Sequence, residues 1–122
     1  MSSTILFIED QEDNRRIMRD LLHSAGYQTL EAVTGLEGVA TAERERPDLI
    51  LMDIQLPGID GHEATRRIKA NPDLRDIPVI AVTSYALSGD ETKAVEAGCD
   101  GYVTKPFSPR QLLAKVREFV EP

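Results

Sequence analysis

The sequence predicts an α/β domain built from five β-α units on a parallel sheet. Three observations predict it: short apolar runs, amphipathic helical patterns between them, and repeated helix-start signatures that follow the runs. Alternation of this kind places helices on both faces of the sheet and makes the crossovers right-handed.

The first run is residues 5–8, Ile-Leu-Phe-Ile. A continuous apolar stretch of that length reads as a strand covered on both faces. A helical stripe follows, with Ile17, Met18, Leu21, Leu22 and Ala25 recurring every three to four positions and Gly26 placed to end it. Residues 28–32 alternate apolar and polar, which suits an edge strand. Residues 49–52 and 78–82 are again continuous apolar runs, and residues 101–103 form a short last strand. Leu112, Leu113, Val116, Phe119 and Val120 give the final helix its apolar face.

The helix starts are marked four times. Thr34 precedes Glu37 by three residues, Asp60 precedes Glu63, Ser88 precedes Glu91 and Ser108 precedes Gln111. Each matches a capping box, in which two side chains satisfy orphan amides of the first turn. Pro109 sits just inside the last helix, where its missing N–H costs nothing.

Composition restricts the classes of function. A chain of 122 residues, 41% hydrophobic and 29% charged, fits one ordinary globular domain, expected to occupy residues 1–122, with any output delivered through a partner. A net charge of -7 disfavours nucleic acid and anionic membrane surfaces. No apolar run approaches the ~20 residues of a membrane span, and the N-terminus lacks the pattern of a signal peptide. Cys99 is the single cysteine, so no internal disulfide forms, and a cytoplasmic location is expected.

In open parallel sheets ligands sit beyond the carboxyl ends of the strands. Those ends carry Glu9 and Asp10, Asp53, Thr83 and Ser84, and Lys105 with Pro106. If the first and third strands are neighbours, Glu9, Asp10 and Asp53 crowd together and repel, and a divalent cation relieves that repulsion. The donors are hard oxygens with no His or Cys among them, which selects Mg²⁺ or Mn²⁺ over zinc. Asp53 ends a buried strand at a turn carrying Pro57-Gly58, where its carboxylate could attack phosphorus and form an acyl phosphate. Thr83 and Ser84 offer donors to a phosphoryl oxygen, and the Lys105 ammonium can pair with Asp53 at rest and with the phosphoryl group afterwards.

Glu9-Asp10, Asp53, Thr83 and Lys105-Pro106 on this framework resemble the receiver domain of bacterial response regulators, over a stretch from Thr4 to about Val120. The segments 48–57 and 78–83 look like single-domain regulators of the DivK type. The resemblance implies a flavodoxin-like (βα)5 fold with a five-stranded parallel sheet in the order 2-1-3-4-5. It implies phosphorylation of Asp53, with Asp10, Asp53 and the backbone carbonyl of Gln55 as Mg²⁺ ligands and Glu9 bound directly or through a water. Thr83 would hydrogen-bond the phosphoryl group, Lys105 would pair with it, and the Lys105-Pro106 bond would be cis. Tyr102 falls at the family's switch aromatic, which together with Thr83 repacks the face formed by the fourth helix, fifth strand and fifth helix. The implied donor is a histidine kinase or histidine phosphotransfer protein, and the implied target is a protein docking on that face. Such a domain catalyses only its own phosphorylation and dephosphorylation. Gln55 and Tyr85 fall at positions that, the resemblance implies, tune phosphoryl loss.

Rival readings meet specific objections. A phosphohydrolase of the haloacid dehalogenase type needs an acid two residues after the nucleophile, where this chain has Gln55. A flavin or nucleotide binder needs a phosphate-welcoming loop after the first strand, which instead carries Glu9, Asp10, Glu12 and Asp13. A degenerate receiver would lack part of the site set. His23 and His62 read as surface residues, Cys99 as a small packed residue, and residues 43–46 as a solvated helix end. Gly35 and Gly38 lack the spacing of a phosphate loop.

Overall fold

The structure is a computed structural model and describes residues 3–83 and 95–122. Five strands, β1 (Thr4–Ile8), β2 (Gln28–Ala32), β3 (Leu49–Asp53), β4 (Val79–Thr83) and β5 (Gly101–Thr104), form one sheet in the order β2-β1-β3-β4-β5. Every pairing is parallel. The flavodoxin-like order 2-1-3-4-5 is therefore present, and the alternating β2 lies at an edge. Pro78 was expected in the fourth strand. It stands just before β4 because it has no N–H to give the ladder, and its carbonyl accepts from Ile50 N at 3.0 Å.

Side chains alternate across the sheet with period two, and the core divides accordingly. Ile5, Phe7, Leu49, Leu51, Ile80 and Val82 face one side. There they meet Met18 and Leu22 of α1 (Glu12–Ser24) and Leu112 and Val116 of the C-terminal helix (Pro109–Arg117). Leu6, Ile8, Ile50, Met52 and Val79 face the other. They meet Ala42 of α2 (Gly35–Glu45) and Ala64 and Ile68 of α3 (Gly61–Ala70). Full burial of such large apolar side chains contributes roughly 1.5–3 kcal/mol each.

Two side chains depart from expectation. Ile17 was placed on the apolar face of the first helix with Met18, but it is 60% exposed. The apolar stripe is wider than the face the sheet can cover, so Met18 and Leu22 fill the interface and Ile17 falls beside it. His62, expected at the surface, is buried, and its Nδ1 has no hydrogen-bond partner. It belongs to the first turn of α3, which is pressed onto the end of β3. A Cβ at Gly61 would come within 2.7 Å of the Ile54 Cα, so only glycine allows that approach.

The caps are partly as expected. At Ser108 both halves of the box form, Gln111 N to Ser108 Oγ at 3.1 Å and Ser108 N to Gln111 Oε1 at 2.8 Å. Thr34 and Asp60 each accept the third amide of their helix, from Glu37 and Glu63 respectively. The Glu63 carboxylate turns outward to Arg66 and Arg67 instead of reaching back. Ser88 and Glu91 lie outside the described residues, as do Ser84 and Tyr85. Gly26, at φ +94°, follows the last turn of α1 as predicted.

Candidate functional site

Strand register builds the site. Ile8 pairs with Met52, so the next residues, Glu9 and Asp53, lie level at the sheet's carboxyl edge. Asp53 pairs with Val82, and Thr83 pairs with Thr104, directly before Lys105. The apolar runs thus deliver Glu9, Asp53, Thr83 and Lys105 side by side. The Lys105-Pro106 peptide is cis, and Lys105 N donates to the Thr83 carbonyl at 2.6 Å.

Glu9, Asp10 and Asp53 each bring a carboxylate oxygen into a group lying within 4.8 Å of one another. Glu9 and Asp53 are buried and Asp10 is half-buried. Lys105 Nζ lies 2.9 Å from Glu9 Oε1 and 3.3 Å from Asp53 Oδ2. The remaining oxygens are held by backbone: Gln11 N donates to Glu9 Oε2 at 3.0 Å, and Gln55 N donates to Asp53 Oδ1 at 3.0 Å.

These contacts divide the charge unequally. Burial pushes the Glu9 carboxyl up, but the Gln11 N–H and the Lys105 ammonium outweigh it and hold the group below its ordinary value. Burial also pushes Asp53 up, and with the Glu9 charge it outweighs the Gln55 N–H and Lys105, so Asp53 rises to about 6. Burial lowers Lys105, yet its hydrogen bond to Glu9 and the Asp53 charge leave it above its ordinary value. Glu9 and Lys105 therefore behave as the settled ion pair. Asp53 is left short of positive charge.

A hard divalent cation would meet that deficit. Three carboxylate oxygens, with no sulfur or imidazole in the group, suit Mg²⁺ or Mn²⁺. Thr83 is buried at the same edge. Tyr102 is exposed on β5 and lines an open groove with Gln111 and Lys115 of the C-terminal helix. His23 lies on the surface, within 2.9 Å of Thr29 Oγ1. Cys99 packs half-buried against the second core cluster.

Sequence reasoning missed three contributors. Asn14 Nδ2 donates to Glu9 Oε1 at 3.3 Å, and Arg15 Nη1 donates to the Glu9 carbonyl at 2.9 Å. Both are carried by the first turn of α1, and a polar pair five and six residues after Glu9 at a helix start was the available signal. Gly61 is the third, seated against the backbone of Asp53 and Ile54.

Comparisons with known proteins bear on this arrangement. A sequence profile described as the response regulator receiver domain matches residues 5–117. The polar-differentiation response regulator DivK of Brucella anthropi is 42% identical over 120 residues, covering 98% of both chains. DivK of Brucella ovis is 41% identical with the same coverage. Among solved structures, the receiver domain of a sensor histidine kinase from Pseudomonas aeruginosa superposes with a TM-score of 0.91 at 38% identity, covering 98% of each chain. That structure holds a magnesium ion coordinated in its active site cleft. The chemotaxis protein CheY4 of Vibrio cholerae shares the fold, with a TM-score of 0.93 at 24% identity, covering 98% of this chain and 100% of that one. Among the described residues no helix is long and apolar enough to cross a membrane.

Proposed function

This chain belongs to the response regulator receiver family of two-component signalling, and from that membership we propose that residues 1–122 form a cytoplasmic phospho-acceptor switch domain. Proteins of this family are signalling modules rather than turnover enzymes. The acceptor is Asp53, the donor is a histidine kinase or histidine phosphotransfer protein, and the step depends on Mg²⁺. The observation that carries the reading is the meeting of Glu9, Asp10 and Asp53 within 4.8 Å, with the Lys105 ammonium in the same cleft.

Glu9, Asp10, Asp53 and the Gln55 carbonyl would hold the cation. When bound, it supplies counter-charge to the phosphoryl oxygens. An Asp53 carboxylate oxygen bonds to phosphorus as the P–N bond of the donor phosphohistidine breaks, and the imidazole leaves with the electron pair. Gln55 N–H orients the carboxylate by holding Oδ1. Lys105 moves its ammonium from the carboxylates to the phosphoryl group. The Thr83 hydroxyl donates to a phosphoryl oxygen, and Tyr102 on the exposed edge follows. That change passes to the face formed by β5 and the C-terminal helix, where a partner protein docks.

Labelling with acetyl phosphate in the presence of Mg²⁺ tests the reading. The full chain takes up one phosphoryl group, chelation of the metal stops uptake, and Asp53→Asn is unlabelled. Label that persists in Asp53→Asn refutes the assignment. A wild-type chain that takes no label acts instead as a constitutive interaction module.

A further inference from the structure

Resting on the phospho-acceptor reading, we propose that Asn14 is a positioning residue for Glu9, holding its carboxylate in place when Lys105 leaves it for the phosphoryl group. Glu9 is 2% exposed, so its charge has little access to water. In the resting chain Glu9 Oε1 accepts from both Lys105 Nζ at 2.9 Å and Asn14 Nδ2 at 3.3 Å. Glu9 Oε2 accepts from Gln11 N at 3.0 Å. The cation that Glu9 would help to hold supplies charge but does not replace the hydrogen bond that Lys105 gives to Oε1, and a buried carboxylate oxygen left with no donor is costly.

The Asn14 amide removes that problem for this oxygen. It sits in the first turn of α1, and the neighbouring Arg15 grips the Glu9 carbonyl at 2.9 Å. The helix N-terminus around Gln11 also favours a negative group there. Gln11, the N-cap, makes no side-chain cap of its own, and its amide goes to Glu9. Glu9 thus holds the backbone amide of the α1 N-cap residue and also forms a wall of the acceptor cleft. With Asn14 and Gln11 N–H each holding one oxygen, Lys105 is released without loosening the carboxylate. Asn14 therefore acts mainly in the phosphorylated state, while Lys105 shares its task at rest.

Beryllofluoride, a phosphoryl mimic, separates the two states. It is titrated into the full chain with saturating Mg²⁺ and followed by fluorine NMR, while Mg²⁺ affinity without beryllofluoride is measured by calorimetry. Asn14→Ala is expected to bind beryllofluoride about tenfold more weakly, the loss of one hydrogen bond to a buried charge. Its Mg²⁺ affinity at rest changes by no more than about twofold, because Lys105 still holds Glu9. Asn14→Gln keeps a donor and recovers most of the loss. A merely structural Asn14 predicts a lower thermal midpoint in Asn14→Ala and equal losses in both affinities, whereas a positioning role leaves the midpoint equal or higher because alanine is the better helix former. Beryllofluoride affinity in Asn14→Ala equal to wild type, equal losses in both measurements, or no recovery in Asn14→Gln would each overturn the role of Asn14. A wild-type chain that binds no beryllofluoride instead sinks the phospho-acceptor reading, and this role with it.

Discussion

Gly61 and Asp53 meet backbone to backbone: a Cβ added to Gly61 would press into the Asp53 carbonyl and lie 2.7 Å from the Ile54 Cα. Gly61 N also donates to the Ile54 carbonyl at 3.0 Å. The first turn of α3 is thereby seated on the turn that carries Asp53, and the Gln55 amide that grips Asp53 belongs to the same turn. Gly61 needs no positive φ here. The requirement is space alone.

Gly61→Ala should therefore act on both fold and site. Overpacking against backbone costs about 1–3 kcal/mol, because backbone cannot yield as a flexible side chain does. Urea denaturation reads that loss. Mg²⁺ affinity should fall in the same variant, since the turn holding Asp53 must shift. A variant with wild-type stability and wild-type Mg²⁺ affinity would show that the contact relaxes freely.

Asp53→Asn should stabilise the metal-free chain at neutral pH. Burial and the Glu9 charge raise the Asp53 carboxyl to about 6 from an ordinary value of 3.8. The folded state then binds the proton more tightly than the unfolded state does. The Asp53 contribution to stability is greatest below about pH 4, falls as pH rises through about 6, and is lost above that. Asparagine mimics the protonated form and escapes the penalty, so its advantage opens across that window and reaches about 1–3 kcal/mol. Urea titrations at several pH values measure it. A difference that does not vary with pH would sever the link to Asp53 ionisation.

The gathering of the site's side chains at one sheet edge was legible because register carries it. Each residue at the end of an apolar run reaches the same edge once the sheet is parallel, so Glu9, Asp53, Thr83 and Lys105 followed from the pattern. Side-chain partners across elements were not legible. Asn14 touches Glu9 only because of how the first turn of α1 meets the end of β1. His62 read as a surface residue because its burial depends on Gly61 allowing close contact, which periodicity does not encode. Ile17 satisfied the helical stripe but lay beyond the width of the sheet. Of the helix starts, the sequence separates Ser108 from Asp60 poorly, since Glu63 matches the box yet has Arg66 and Arg67 beside it.

That contrast predicts different costs at the two caps. Ser108→Ala removes the acceptor for Gln111 N and should cost about 1 kcal/mol. Gln111→Ala should also destabilise, because its side chain satisfies the Ser108 amide at 2.8 Å. Glu63→Ala loses only exposed ion pairs to Arg66 and Arg67 and should cost less than either. Thermal denaturation ranks the three. A cost at Glu63 matching that at Gln111 would mean that a reciprocal box also forms on α3.

Mg²⁺ affinity should depend on pH through Asp53 before Glu9. A carboxyl raised to about 6 holds a proton that the metal must displace, so binding releases it. Glu9 is held below its ordinary value and adds no such step until the solution is more acidic. The apparent affinity should be flat above about pH 7 and fall about tenfold per unit below about pH 6. Calorimetry in two buffers of different ionisation enthalpy counts the released protons, nearly one near pH 5 and nearly none near pH 8. In Asp53→Asn the proton release should vanish and the affinity should drop, since a charged ligand is gone. Proton release that survived that substitution would assign the raised carboxyl to another residue and remove the electrostatic basis for Asp53 as the site that seeks the cation.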